Sequence, residues 1–389
     1  MCRMNFLMLG AALLVRSVLL FWNLENAFDP YDDPLTRDEE FTPGGAKHWT
    51  WKKLDRKLVG VAKTILFAAD TYGEPPVLIG LCEIENATVV RRLAEKTPLA
   101  AYDYGWVHRD SPDGRGIDVA LLFRRDAFQV LRVEAVPVAT DPPTRDILYV
   151  KGVLWRDTVH VFVNHWPSKL GGAAGRARRD AAAEALCACV DFIDAAARPA
   201  GREPLILCGD FNATPVEINL PIPGLVNLAA PLAAAGEGSI KYRGTWELID
   251  QFWVRGFGAS PTTRTPSAAT ATSVAQSATA ALVNSSVSGA PPAMPSSVSV
   301  PEETSSSVSG VSLSMPSTVS VPAETAVWRA DEAPALSSAV GEGPRMEIFR
   351  PPFLLEPDKS YTGDKPLRTW SGPHYKGGLS DHLPVVLIL

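Results

Sequence analysis

Positive charge is not in excess in this 389-residue chain: 37 lysines and arginines face 43 aspartates and glutamates, for a formal net charge of −6. That balance argues against a protein held to nucleic acid by bulk cationic surface. It does not exclude a phosphoester substrate, because carboxylates can gather a divalent cation that carries the positive charge at the phosphate. Cysteine is also scarce, at five residues. Cys82 and Cys208 lie in apolar runs and read as core thiols, while Cys187 and Cys189 are two apart on an expected helix and point to different sides. No spacing suggests a zinc site or a disulfide framework, and neither a Walker-type glycine loop nor a nucleophile elbow is present. The apolar run NFLMLGAALLV at residues 5–15 is too short for a helical membrane span, so no stable span is expected. The run follows Arg3 and resembles a secretory h-region, but Arg16 interrupts it and no clear small-residue cleavage site follows. For residues 1–16 a signal peptide and an upstream extension from a misplaced start codon both stand, and with them an exported or a cytoplasmic protein.

What is present is enough apolar sequence, 46% hydrophobic against 21% charged, for a sizeable core. From residue 17 to about 250, apolar strands alternate with helical segments, the pattern of a layered α/β or α+β domain. SVLLFW, VLIGLCE, DVALLFRR, ILYVKGVLW, TVHVFVNH, LILCGD and ELIDQFWV read as strands. Residues 49–70 read as a helix with Leu54, Leu58, Val61 and Ile65 on one face, VVRRLAEK as a short helix, and residues 176–195 as an Ala-rich helix. Composition then shifts to Ser, Ala, Thr, Val and Pro over residues 259–345. MPSSVSVPEET at Met294 returns as MPSTVSVPAET at Met315, a spacing of 21. Two copies are too few for a solenoid, and the segment reads as a disordered low-complexity insertion. Residues 346–389 end in the strand LPVVLIL and are too few to fold alone, so they complete the domain that residues 17–258 begin.

Several strands run into polar residues at their ends. Asn23 follows SVLLFW, Glu83 follows VLIGLC, Asn164 and His165 follow TVHVFV, and Asp210 follows LILCG with Asn212 two further on. Asp381 and His382 precede the last strand. Strand ends of layered sheets share a rim where ligands bind, and carboxylate, Asn and His on a rim suit a hard cation and a phosphate. Singly each has a bland explanation: turn residue, solvated strand end, Asx-turn or cap. The joint arrangement in one chain is far more specific.

FWNLENAFD, LCEIEN, RGIDVALLF, NHWPSK, LCGDFNATP, ELIDQFWV and LSDHLP stand in this order, and over residues 17–258 and 346–389 the chain resembles the endonuclease/exonuclease/phosphatase (DNase I-like) superfamily. The resemblance implies an α+β fold, a four-layer α/β/β/α sandwich, and hydrolysis of phosphoesters with Mg2+ or Mn2+. It also implies roles. Glu83 is the principal metal ligand with Asn23 beside it. Asp210 orients and deprotonates the attacking water, and Asn212 positions the water and a phosphate oxygen. His382 contacts the phosphate, while Asp381 orients His382 and touches the metal. His165 protonates or stabilises the leaving oxygen. Asp118, Asn164 and Asp250 fall in matching motifs as supporting polar residues. Lys169 and Arg176, in a basic cluster after His165, are candidates for contact with substrate phosphate, with a solvated helix start as the alternative. LENAF replaces the NVNG type of the abasic-site nucleases, which weakens a DNA-repair reading. The expectation is a monomeric, nuclease-like phosphodiesterase with nucleic acid among its candidate substrates. The alternatives are a phosphatase or lipid phosphodiesterase of the inositol phosphate or sphingomyelin type, or a catalytically inactive binding module on the same fold.

Overall fold

The strand-and-helix alternation of the sequence resolves into two stacked six-stranded sheets. The computed structural model describes residues 17–169, 171–197, 201–257 and 343–389. The leader-like residues 1–16 and the insertion up to residue 342 lie outside the described residues. All described residues belong to one compact unit.

The strands are β1 (Val18–Ala27), β2 (Leu78–Ile84), β3 (Tyr104–His108), β4 (Asp118–Arg124), β5 (Phe128–Val136), β6 (Ile147–Leu154), β7 (Asp157–His165), β8 (Leu205–Asp210), β9 (Val226–Asn227), β10 (Ile240–Tyr242), β11 (Thr245–Glu247), β12 (Asp250–Arg255), β13 (Arg345–Ile348), β14 (Leu355–Pro357), β15 (Asp364–Pro366), β16 (Trp370–Ser371), β17 (His374–Tyr375) and β18 (Val385–Ile388). The helices are α1 (Trp51–Tyr72), α2 (Ala87–Lys96), α3 (Gly172–Ala197) and the short α4 (Ala230–Ala234). One sheet has the order β13-β18-β1-β2-β4-β3, the other β5-β6-β7-β8-β12-β9, and β10–β11, β14–β15 and β16–β17 are separate ribbons. Each large sheet holds one parallel pair at its centre, β1 with β2 and β7 with β8, and antiparallel neighbours outside it. A parallel pair needs a crossover, and α1 and α3 supply the two. Strand β13 begins at Arg345, one residue before the boundary expected at 346, and pairs with β18 at the sheet edge.

Side-chain alternation builds the layers. In β1, Leu19 and Phe21 face the second sheet and join Val161, Val163, Ile206, Cys208 and Phe252 in the inter-sheet core. Val18, Leu20, Trp22 and Leu24 face the other way, against Leu54, Leu58, Val61 and Ile65 of α1 and Val90 and Leu93 of α2. On the far side, Tyr149, Phe162, Leu205 and Leu207 pack on Ala182, Leu186 and Val190 of α3. The result is the expected α+β, α/β/β/α sandwich. The sheets approach closely: a Cβ on Gly80 would stand 2.8 Å from Cys208 Sγ, so a side chain there would force them apart. Helix α1 starts where Thr50 accepts from Lys53 N–H and ends at Gly73 in the left-handed conformation that glycine adopts without strain. Among the described residues, no helix is long and apolar enough to cross a membrane.

Candidate active site

The alternation that builds the core also aims the polar residues at its edge. Asn23 continues the inward face of Leu19 and Phe21, His165 that of Val163, Asp210 that of Cys208, and Asp250 that of Phe252. Strand register then sets three of them in a row, with His165 opposite Asp210 and Asp210 opposite Asp250. All four side chains project into the mouth of the cleft between the sheets.

Glu83 reaches this mouth by a different device. Cys82 pairs with Val119 and Ile84 with the very next strand position, Asp118, so Glu83 is an extra residue in β2. The pairing with β1 shifts at the same place, between Asn23 and Ala27. Such a bulge re-aims a side chain, and here it turns Glu83 toward His165. The backbone is strained around it: Glu25, Asn26, Glu83 and Asn212, none a glycine, have φ of 46, 58, 57 and 48°. Left-handed conformations cost about 1 kcal/mol or more for such residues and gather at functional sites.

Asp210 Oδ2 is the hub. It accepts a hydrogen bond from Asn23 Nδ2 at 3.0 Å and lies 3.8 Å from His165 Nε2 and 3.9 Å from His382 Nε2. Its other oxygen accepts from Asn212 N–H at 2.8 Å. Burial, then the neighbouring Asp250, raises the Asp210 pKa to about 7, against the lowering effect of His382 and the two hydrogen bonds. Glu83 Oε2 accepts from Asn26 N–H at 2.8 Å, while Oε1 stands 3.9 Å from His165 Nε2.

The two histidines are electrically opposite. Burial, helped by the Arg145 and Arg115 guanidinium groups and His382, pushes the His165 pKa well down, so this imidazole is neutral. Burial also opposes charge on His382, but Asp250 and then Asp210 and Asp381 overcome it and hold the pKa well up. His382 Nδ1 lies 2.7 Å from Asp250 Oδ2, which also accepts from Ser239 Oγ. This corrects the expectation that Asp381 orients His382. Asp381 is 3.9 Å from Nε2 on the other side of the ring and accepts from Arg368 at 2.8 Å. A carboxylate at hydrogen-bond distance from Nδ1 fixes the ring; one at 3.9 Å from the other nitrogen does not.

Other expected residues fall into different tasks. Asn164 is fully buried, with Nδ2 donating to the Phe162 and Cys208 carbonyls and Oδ1 accepting from Trp166, so it shapes the turn after β7. Asn212 Nδ2 donates to the Trp166 carbonyl and ties that turn to the one after β8. Asp118 accepts from Ser111 and stands beside His108, away from the Asp210 hub. Lys169 is held by Glu247 at 2.8 Å and Glu217 at 3.0 Å, so its charge is already neutralised and the expectation that it meets substrate phosphate is not supported. Arg176 is exposed on the first turns of α3 and lines a cleft with Trp166.

Several site residues were not legible as such. Glu25 accepts from Thr369 N–H at 2.7 Å and from Arg368 at 3.1 Å. Lys57 is fully buried and donates to the Glu25 and Leu379 carbonyls and to Thr369 Oγ1. Arg115 donates to Asn26 Oδ1 at 2.7 Å, and Arg145 pairs with Asp113 at 2.9 Å. The available signal for Lys57 was its place in the apolar stripe of α1, three residues after Leu54; Glu25 and Arg115 lie inside FWNLENAFD and RGIDVALLF.

The donor set fits a hard divalent cation. Glu83 and Asp381 offer carboxylate oxygens at the mouth, and Asn23 Oδ1, which accepts from Glu25 N–H, keeps a second lone pair. Asp250 Oδ1 is buried without a hydrogen-bond partner among the described residues. Cys82 lies close enough to His165 and Asp210 to complete a ligand group, but burial raises its pKa well above the ordinary value and keeps the thiol protonated, so a soft thiolate-held metal is not favoured.

The chain matches the endonuclease/exonuclease/phosphatase family over residues 18–257, more than half its length, and belongs to that family. Members are phosphoester hydrolases that generally depend on a divalent metal. No curated protein sequence matches the chain. Among solved structures, it is similar to truncated Caenorhabditis elegans TDP2 (TM-score 0.44, 16% identity, covering 62% of this chain and 84% of that one). It is also similar to the human Nocturnin catalytic domain with bound sulfate (TM-score 0.42, 19% identity, 62% and 83%) and to the Bacteroides thetaiotaomicron VPI-5482 mannosyl-6-phosphatase Bt3783 (TM-score 0.41, 16% identity, 61% and 85%).

Proposed function

We propose that this chain is a Mg2+- or Mn2+-dependent phosphodiesterase of nuclease-like type, with its reaction centre at Asp210. The observation that carries the reading is the environment of Asp210 Oδ2, which lies within 4 Å of a neutral His165 and a cationic His382 and is fixed by Asn23. A carboxylate with a pKa of about 7 is matched to taking a proton from water near neutral pH. Asn212 N–H holds Oδ1 and Asn23 Nδ2 holds Oδ2, and Oδ2 keeps a further lone pair to turn toward the attacking water.

Glu83, with Asn23 and Asp381, would hold the cation, which supplies charge neutralisation and polarisation at the phosphoryl group. The protein's own groups do the rest. His382, held by Asp250, presents a cationic Nε2–H to the charge that develops on the phosphoryl oxygens. His165 is neutral, so it stabilises the leaving oxygen by a hydrogen bond from Nε2 rather than by delivering a proton. Arg115 and Arg145 add positive potential on the His165 side. The loss of Lys169 from the substrate contacts leaves Arg176 as the nearby candidate for a flanking phosphate, which suits a diester with phosphates on either side of the scissile bond.

A panel of plasmid DNA, RNA, bis-p-nitrophenyl phosphate, p-nitrophenyl phosphate, inositol phosphates and sphingomyelin tests the reading, each with Mg2+ and with EDTA. Metal-dependent cleavage of the nucleic acids or the synthetic diester is expected. Cleavage confined to the monoesters or to sphingomyelin would replace the nuclease-like assignment.

A further inference from the structure

The hairpin between β3 and β4 carries a second cluster that the reaction does not use. His108 ends β3 and Asp118 opens β4. The His108 side chain is 2% exposed, and its Nε2 has no hydrogen-bond partner among the described residues. Nε2 faces Asp118 Oδ2 at 3.7 Å, and Nδ1 stands 3.7 Å from Asp110 Oδ1. Neither gap is a hydrogen bond. Asp118 is turned toward the imidazole by Ser111, whose hydroxyl donates to Oδ1, with Oδ2 on the side of His108. One donor atom from each of His108, Asp110 and Asp118 lies within 4.8 Å of the others.

We propose that His108, Asp110 and Asp118 bind a divalent cation of the Zn2+ or Mn2+ class, separate from the one at Glu83. The donor chemistry selects the ion: an imidazole nitrogen with two carboxylate oxygens suits a borderline metal better than Mg2+, which prefers oxygen alone. The unpartnered Nε2 is the imidazole ligand: ligand atoms about 2.0–2.2 Å from one ion stand roughly 3–3.5 Å apart, so a small rotation closes its 3.7 Å pair with Asp118, and the exposed Asp110 carboxylate, now beside Nδ1, turns to the Nε2 side to complete the set. The Ser111 hydroxyl is the kind of outer contact that orients a ligating carboxylate. A plain imidazolium–carboxylate pair is the competing explanation. Both gaps, at 3.7 Å, are longer than the contact of a hydrogen-bonded ion pair, which argues against it.

The ion would fasten the loop between these strands. That loop carries Arg115 to Asn26, whose N–H holds Glu83, and carries Asp113 to Arg145. Filling the cluster therefore sets where two arginines sit beside His165.

The test is a calorimetric Zn2+ titration of the chelator-stripped, full-length protein, run on wild type, His108→Asn, Asp110→Asn and Glu83→Gln. Asp110 has an 87% exposed side chain, so Asp110→Asn leaves the fold unburdened even if His108→Asn does not fold. Wild type should show two classes of Zn2+ site. Asp110→Asn and His108→Asn should each weaken one class by at least about tenfold and spare the other, and Glu83→Gln should do the reverse. Identical isotherms for wild type and Asp110→Asn would overturn the proposal. The readout is binding, so failure to cleave any phosphoester would leave the result intact.

Discussion

Asp250 and Asp381 both lie near His382, one 2.7 Å from Nδ1 and the other 3.9 Å from Nε2, and sequence alone favoured the wrong one as its partner. Asp381 is adjacent in the chain, whereas Asp250 is 132 residues away and arrives only through strand register. Residue order exposed the site's members but not which of them touch. The same holds for Lys169, whose two glutamate partners come from other segments. The Asp250 contact has a pH signature. A raised His382 pKa in the folded state means its stabilising charge is fully present below the ordinary value of 6.5 and is lost as pH rises through the higher folded value. Asp250→Asn removes the carboxylate, so His382 should deprotonate earlier. The alkaline limb of the pH–rate profile should move down by about one unit or more, with turnover reduced at least about tenfold. A limb that stays in place would mean Asp250 does not hold the charge.

At the scale of elements, the central strands were legible because they are buried on both faces and read as unbroken apolar runs. Strands β3 and β5 lie at sheet edges, where β5 alternates with exposed positions such as Gln129, Leu131 and Arg132, and no apolar run marks them. The bulge at Glu83 was illegible for a different reason: an extra residue is defined only against partner strands. Helix α1 does more than cover a sheet. Lys57 reaches from it to the end of β1 and to residues 369–379, and burial lowers its pKa to about 8 although Glu25, Asp381 and Glu83 favour the charge. Lys57→Met keeps the length and removes the ammonium group, leaving buried acceptors unpaired. Unfolding in urea should show a loss of about 2–4 kcal/mol. A loss under about 0.5 kcal/mol would mean that the three segments are joined by packing alone.

At the scale of the molecule, the two-part domain is the main organisational expectation. Strand β12 ends at Arg255 in one sheet and β13 begins at Arg345 at the edge of the other, and the rim residues described above all come from the described residues on either side of the insertion. Excising residues 262–340 and joining the ends with a short Gly/Ser linker should therefore leave circular dichroism and turnover near those of the full chain, since long loops cost little closure entropy. A folded but inactive deletion variant would assign the segment a part in the site.

The division of labour between Asp210 and Glu83 is the centre of this account, and a Mg2+ titration of turnover with Asp210→Asn, Glu83→Gln and His382→Ala tests it most directly, each variant first shown to be folded. Asp210→Asn keeps the side-chain size but removes the base, so turnover should fall by at least about 100-fold and stay low at every Mg2+ concentration. Glu83→Gln should weaken the metal site and recover in part as Mg2+ rises. His382→Ala should remain impaired throughout. Near-normal turnover in Asp210→Asn, or its rescue by metal while Glu83→Gln is not rescued, would contradict the assignment.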